Sequence, residues 1–79
     1  MVVTVEKHRR SPRNPVLGAE LRRLREWNGL TLAEVGVELD YVYQSRLSEQ
    51  ERGLAPLSPE QARQIKSAIR RLVTRRRAG

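Results

Sequence analysis

The sequence predicts a small all-α bundle of four or five helices. A basic N-terminal arm (residues 1–15) and a basic C-terminal tail (residues 74–79) flank a folded unit at residues 16–73. Three observations predict this. Leucines and isoleucines recur at helical spacing, polar capping residues stand in front of three of the apolar runs, and glycines follow two of the runs. At 79 residues the chain is long enough for one small domain. It has no Phe and only three aromatics, Trp27, Tyr41 and Tyr43, so Leu, Val, Ile and Ala must form the core.

Pro12 and Pro15 break any helix in the arm, and Lys7, Arg9, Arg10 and Arg13 load it with charge. The first helix is expected from Val16 to Asn28. Asn14 suits the N-cap, Pro15 the first helical position, and Leu17, Leu21 and Leu24 form one stripe. Trp27 lies at the edge of that stripe, a core-edge position. Gly29 fits the residue that stops the helix.

The second helix is expected from Leu32 to Leu39. Thr31 and Glu34 match a capping box, and Val35 and Leu39 face inward. Gly36 costs about 1 kcal/mol of helix propensity against Ala, which suggests a close approach between helices there. Asp40 and Tyr41 make the turn. The third helix is expected from Tyr43 to Glu51, with Leu47 inward and Arg52-Gly53 ending it. Leu54 to Leu57 form an apolar loop. Ser58-Pro59-Glu60-Gln61 then starts a fourth helix, with Ala62, Ile65, Ile69 and Leu72 on one face and fraying expected from Thr74 to Gly79.

Charge narrows the function classes. The formal net charge is +7, and fourteen of the sixteen basic residues are Arg. Such a balance implies a polyanionic partner, and Arg grips phosphate and guanine bidentately. The distribution is uneven. Residues 16–60 carry more acids than bases, whereas residues 61–79 carry seven bases and no acid. There is no cysteine, one histidine (His8), no phosphate-cradling glycine loop and no carboxylate cluster of metal-ligand spacing. The reading is therefore not an enzyme, with no cofactor, metal or small-molecule ligand. No apolar run approaches the roughly 20 residues of a membrane span, so a cytoplasmic, nucleoid-associated protein is expected.

Two short amphipathic segments joined by a turn, in a basic chain, read as a helix-turn-helix that contacts double-stranded DNA. The third helix presents Gln44, Ser45 and Ser48 outward. Gln bonds adenine bidentately, and Ser bonds several bases. Glu49 either accepts from cytosine N4 or is a solvated surface charge. Arg46 is a phosphate or guanine candidate. Tyr43 either bonds a phosphate through its hydroxyl or packs over the turn. Thr31, Arg52, Arg70, Arg75, Arg76, Arg77, Arg9, Arg10 and Arg13 complete the phosphate candidates.

Residues 16–72 resemble the phage-repressor (lambda-repressor-like) helix-turn-helix family. The resemblance lies in Leu24-Arg25-Glu26 followed by Gly29-Leu30-Thr31, inward Val35, Leu39 and Leu47, and Glu51-Arg52-Gly53. It implies operator binding as a homodimer, base reading by Gln44, Ser45 and Glu49, and a structural ion pair between Arg25 and Glu51. It also implies a bacterial or phage-encoded regulator. The chain departs from the pattern in four places. The turn Leu39-Asp40-Tyr41-Val42 is one residue longer, Leu32 replaces a phosphate-touching Gln, Gln50 replaces an apolar residue, and no fifth helix is evident. Two other readings stand beside this one. In the first, a protein partner binds exposed Trp27, Leu32, Tyr41 and the Leu54–Leu57 loop, as in an antitoxin or a phage factor acting on host transcription machinery. In the second, the Arg-rich ends bind nucleic acid without sequence preference.

Overall fold

A computed structural model describes residues 12–41 and 44–78. Four helices make the fold: α1 Pro15–Trp27, α2 Leu32–Glu38, α3 Gln44–Glu51 and α4 Pro59–Ala78. Their bounds differ from the sequence expectation by about one residue at several ends, the usual fraying margin. Among the described residues there is no fifth helix and no strand beyond a single bridge between Arg13 and Pro56. Pro12 O also accepts from Leu57 N–H at 3.1 Å, so the end of the arm is tied to the loop before α4.

Caps begin and end the helices. Asn14 Oδ1 accepts from Leu17 N–H at 3.1 Å, and Pro15 follows where no N–H is needed. Thr31 with Glu34, and Ser58 with Gln61, form reciprocal capping boxes. The first three helices end alike. Leu30, Tyr41 and Leu54 donate to Arg25 O, Gly36 O and Glu49 O, while Gly29, Asp40 and Gly53 donate to Glu26 O, Val37 O and Gln50 O. This is the Schellman pairing, which requires a left-handed residue just past the cap. Gly29, Asp40 and Gly53 have φ of 67°, 62° and 77°. Asp takes the glycine role after α2 because its short polar side chain tolerates that region.

The core gathers Leu21, Leu30, Val35, Leu47, Leu57, Ala62, Ile65, Ala68 and Ile69, with Leu17, Leu24, Leu32, Leu39, Tyr41, Leu72 and Val73 packed partly buried against it. Helices α1 and α2 each pack against both α3 and α4, whereas the α3 and α4 backbones do not approach each other closely and the two helices share only the core. The four helices thus form a ring with α3 and α4 at opposite corners. At the crossing of α1 and α3, Gly18 lies so close to the Gln50 and Glu51 carbonyl oxygens that a Cβ would collide with both, 2.8 Å from the Glu51 oxygen. The close approach expected at Gly36 occurs here instead. A Cβ on Gly36 would only reach ordinary contact with Gln44 Cβ at 3.5 Å.

Several sequence expectations are corrected. Trp27 is 89% exposed, not a core-edge residue. It lies about a third of a turn off the line through Leu21, on the last residue of the helix, where nothing packs beyond it. Leu32 and Tyr41, expected as exposed apolar candidates, pack onto the core, and in the Leu54–Leu57 loop only Leu54 is a large exposed residue. The fourth helix runs to Ala78, within the stretch Thr74 to Gly79 where its end was expected. Residues 74–78 of the stretch expected as a basic tail are helical, and Arg75 and Arg76 among them bond acids on α2.

Candidate nucleic-acid interface

Helix α3 buries Leu47, Gln50 and Glu51 and turns Ser45, Glu49 and Arg52 outward as one ridge. Gln44 and Arg46 are exposed beside it, and Ser48 is half-buried. The four residues expected to read bases, Gln44, Ser45, Ser48 and Glu49, therefore share one helix with Arg46, and Arg52 follows directly at its C-terminal end. Arg52 Nε approaches Ser48 O at 3.4 Å, a weak contact that leaves the guanidinium on the surface. Tyr43, Arg9 and Arg10 lie outside the described residues.

Three hydrogen-bonded contacts fix the buried side of α3. Arg25 of α1 donates to Glu51 through Nε at 2.8 Å and Nη2 at 3.0 Å, and through Nη1 to Leu30 O at 2.8 Å. The side chains are 9% and 3% exposed, so the pair is buried and bidentate. The hydrogen bond to Glu51 raises the Arg25 pKa further above its ordinary value. Gln50 has no exposed surface. Its Oε1 accepts from Tyr41 Oη at 3.1 Å, and its Nε2 donates to Pro56 O at 3.1 Å. Tyr41 in the turn, Gln50 in α3 and the loop before α4 are thereby joined. No buried side-chain polar atom among the described residues lacks a partner.

Sequence reading missed Gly18, Tyr41 and Gln50 as determinants of this geometry. The available signals were a glycine inside a helix three residues before Leu21, and a glutamine three residues after Leu47 on the buried face.

The phosphate candidates fall into two groups. Arg46, Arg52, Arg70, Arg77 and Arg13 are exposed and form no ion pair among the described residues. Thr31, Arg75 and Arg76 have intramolecular partners. The Thr31 hydroxyl caps Glu34 N–H at 3.1 Å and lies 3.2 Å from its carboxylate. Arg75 donates twice to Glu38, at 3.0 and 3.3 Å, and Arg71 donates to the same carboxylate at 2.7 Å. Arg76 reaches Asn28 O, Gly29 O and, at 2.8 Å, Glu34. The bonds from Arg75 and Arg71 pull the Glu38 pKa down from 4.5 to about 2. Its charge in turn raises that of Arg75. Glu34 is lowered first by the Thr31 backbone N–H and then by Arg76.

Among the described residues no three His, Cys, Asp or Glu side chains cluster as a metal site. No helix among them is long and apolar enough to cross a membrane. Searches of curated proteins and of solved structures each found no match to the chain. A family model described as a helix-turn-helix domain matches residues 16–78, which takes in all four helices. Such domains are DNA-binding, non-catalytic units that lay their second motif helix on the duplex, the place α3 holds here. On this match over most of its length, the chain belongs to the helix-turn-helix domain family.

Proposed function

We propose that this protein is a sequence-specific regulator of transcription of the phage-repressor type, bacterial or phage-encoded, which inserts α3 into the major groove of double-stranded DNA. The observation that carries the reading is the exposed polar ridge of α3 on a fully partnered buried face. Ser45, Glu49 and Arg52, with Gln44 beside them, extend from a helix held by Arg25, Gly18 and Tyr41. A rigid support is what base discrimination requires, since a bidentate contact contributes about 1–3 kcal/mol only when its geometry is kept. Gln44 then reads adenine, Ser45 and Ser48 contact bases or backbone, Glu49 accepts from cytosine, and Arg46 and Arg52 bind flanking phosphates. A homodimer follows from the shortness of α3, because one half-site gives too little specificity against genomic competitors.

The test is selection from random duplexes at about 150 mM salt, where non-specific attraction is screened. An enriched palindrome is expected, with its preferred bases changed by Gln44→Ala. A pool with no enrichment would sink this reading. Exposed Trp27 and Val37, 89% and 80% accessible, favour a second reading in which the domain also binds a protein. Substituting both should then weaken that association and leave DNA selection as it is.

A further inference from the structure

Seven cations lie between residue 61 and the end of the chain, and they divide by direction. Arg71, Arg75 and Arg76 turn inward along α2 and bond Glu38 and Glu34. Arg63, Lys66, Arg70 and Arg77 form no ion pair among the described residues. Arg63, Arg70 and Arg77 are spaced by seven, so they form a nearly straight row on a 3.6-residue helix, with Ser67 and Thr74 along it. The row spans roughly 21 Å at 1.5 Å per residue. It lies opposite Ile65, Ile69 and Leu72, which pack into or against the core.

We propose that this outward face of α4 is a second nucleic-acid site, which takes the phosphate backbone of a duplex separate from the one read by α3. Helices α3 and α4 stand at opposite corners of the ring, with α1 and α2 between them. The row, turned away from the core against which α3 packs, points away from a duplex lying along α3. Duplex DNA carries one charge about every 1.7 Å of axis on its two strands, so a stretch as long as the row holds about twelve phosphates, of which those on the near side face the arginines.

Composition selects the occupant. Among the described residues, the large exposed apolar ones are Val16, Trp27, Val37 and Leu54, none of them on α4. A protein partner needs a desolvated apolar or aromatic anchor, which this face lacks. Arginines alternating with Ser and Thr hydroxyls are what backbone phosphates engage. The inward arginines also matter, because they hold α4 helical through Ala78 and so present the row preformed. The α4 site needs no sequence preference. The proposal rests on the α3 reading only for the first duplex.

The experiment is two-duplex capture at about 100 mM salt, within the range where phosphate contacts are not fully screened. One duplex, carrying the selected sequence, is fixed to beads; a second, unrelated and labelled, is offered with the full-length protein. The parent chain is expected to retain the second duplex. The triple variant Arg63→Gln, Arg70→Gln, Arg77→Gln, with its helicity checked by circular dichroism, should lose that retention about tenfold or more, with the salt slope flattened by about 2 to 3. Its base preference in the selection should persist. Gln44→Ala should do the reverse, altering preference while still retaining an unrelated duplex. If the triple variant captures the second duplex like the parent, bridging comes from two α3 helices of a dimer and the proposal is overturned. It is equally overturned if the triple variant loses base preference together with capture, because the row then belongs to the α3 site. Absence of preference in every chain would sink the α3 reading, and the α4 site would then stand only if the triple variant loses binding of a single labelled duplex that the parent chain and Gln44→Ala both bind.

Discussion

Arg25 and Glu51 offer a sharp test of how α3 is held. Arg25→Met keeps the aliphatic stem and removes the charge, and Glu51→Met does the same on the other side. Either change alone leaves a charge buried, since the two side chains are 9% and 3% exposed. Removing one partner of such a pair costs about 3–5 kcal/mol. A domain of this size has roughly 4–12 kcal/mol of total stability at 0.05–0.15 kcal/mol per residue, so each single variant should lose a quarter or more of it. The double variant removes both charges. Its remaining cost is the Leu30 carbonyl, which loses the Arg25 Nη1–H bond of 2.8 Å, about 1–3 kcal/mol. The double variant should therefore be more stable than either single one, a strongly non-additive cycle. Urea unfolding followed by far-ultraviolet circular dichroism measures it; the exposed Trp27 is a poor reporter. Single-variant losses below about 1 kcal/mol, adding in the double, would mean the pair is solvated and would refute the reasoning.

Three further outcomes are expected. Gly18→Ala should lower the melting temperature, since its methyl meets two backbone carbonyls and overpacking costs about 1–3 kcal/mol, whereas Gly36→Ala should raise it by up to about 1 kcal/mol of helix propensity; the same sign at both sites would contradict the packing described. Tyr41→Phe removes the donor to Oε1 of the fully buried Gln50 and should cost about 1–3 kcal/mol, and its effect should not add to that of Gln50→Leu in a cycle; strict additivity would show that the two are not linked. Glu38 is lowered on folding from 4.5 to about 2, so its stabilising contribution is complete above about pH 4.5 and is lost as pH falls towards 2. Protection of the amides in the last turns of α4, the intrinsic exchange rate relative to the observed one, should fall over that window in the parent chain, while in Glu38→Gln it should already be low at neutral pH and nearly independent of pH.

How much of this was legible in the sequence depended on whether the signal was local. Asn14-Pro15, Thr31 with Glu34 and Ser58-Pro59 with Gln61 act within one helical turn, and each starts a helix as expected. Gly29 and Gly53 announced two helix ends through residue type alone. The third equivalent end was obscured because Asp40 stands where the others carry glycine, so an ordinary Schellman cap read as a lengthened turn. Long-range pairing was less accessible. Nothing local couples Tyr41 to Gln50, or Arg75 to Glu38 across 37 positions. Trp27 misled for a related reason: its spacing from Leu24 suited the core, but helix periodicity does not say where the neighbouring element ends. The outward residues of α3 were legible because they are what remains once Leu47 is placed inside.

The pairing of α4 with α2 also changes what the arginines do for the proposed DNA complex. A cationic end was expected to attract phosphate directly. Yet Arg71, Arg75 and Arg76 bond Glu34 and Glu38, which lie within two turns of Thr31 at the start of α2. On the proposed reading that end of α2 lies close to the DNA backbone, where two uncompensated carboxylates would repel it. The three arginines cancel that repulsion from behind, and their contribution to affinity is indirect. Direct attraction near α3 is then left to Arg46, Arg52 and whatever the arm supplies, since Glu49 on the same ridge works against it. A helix with so few cations should discriminate by fit at its bases and dissociate readily from unrelated sequence, so that sequence preference comes from α3 while most of the phosphate-binding charge sits on the far side of the ring.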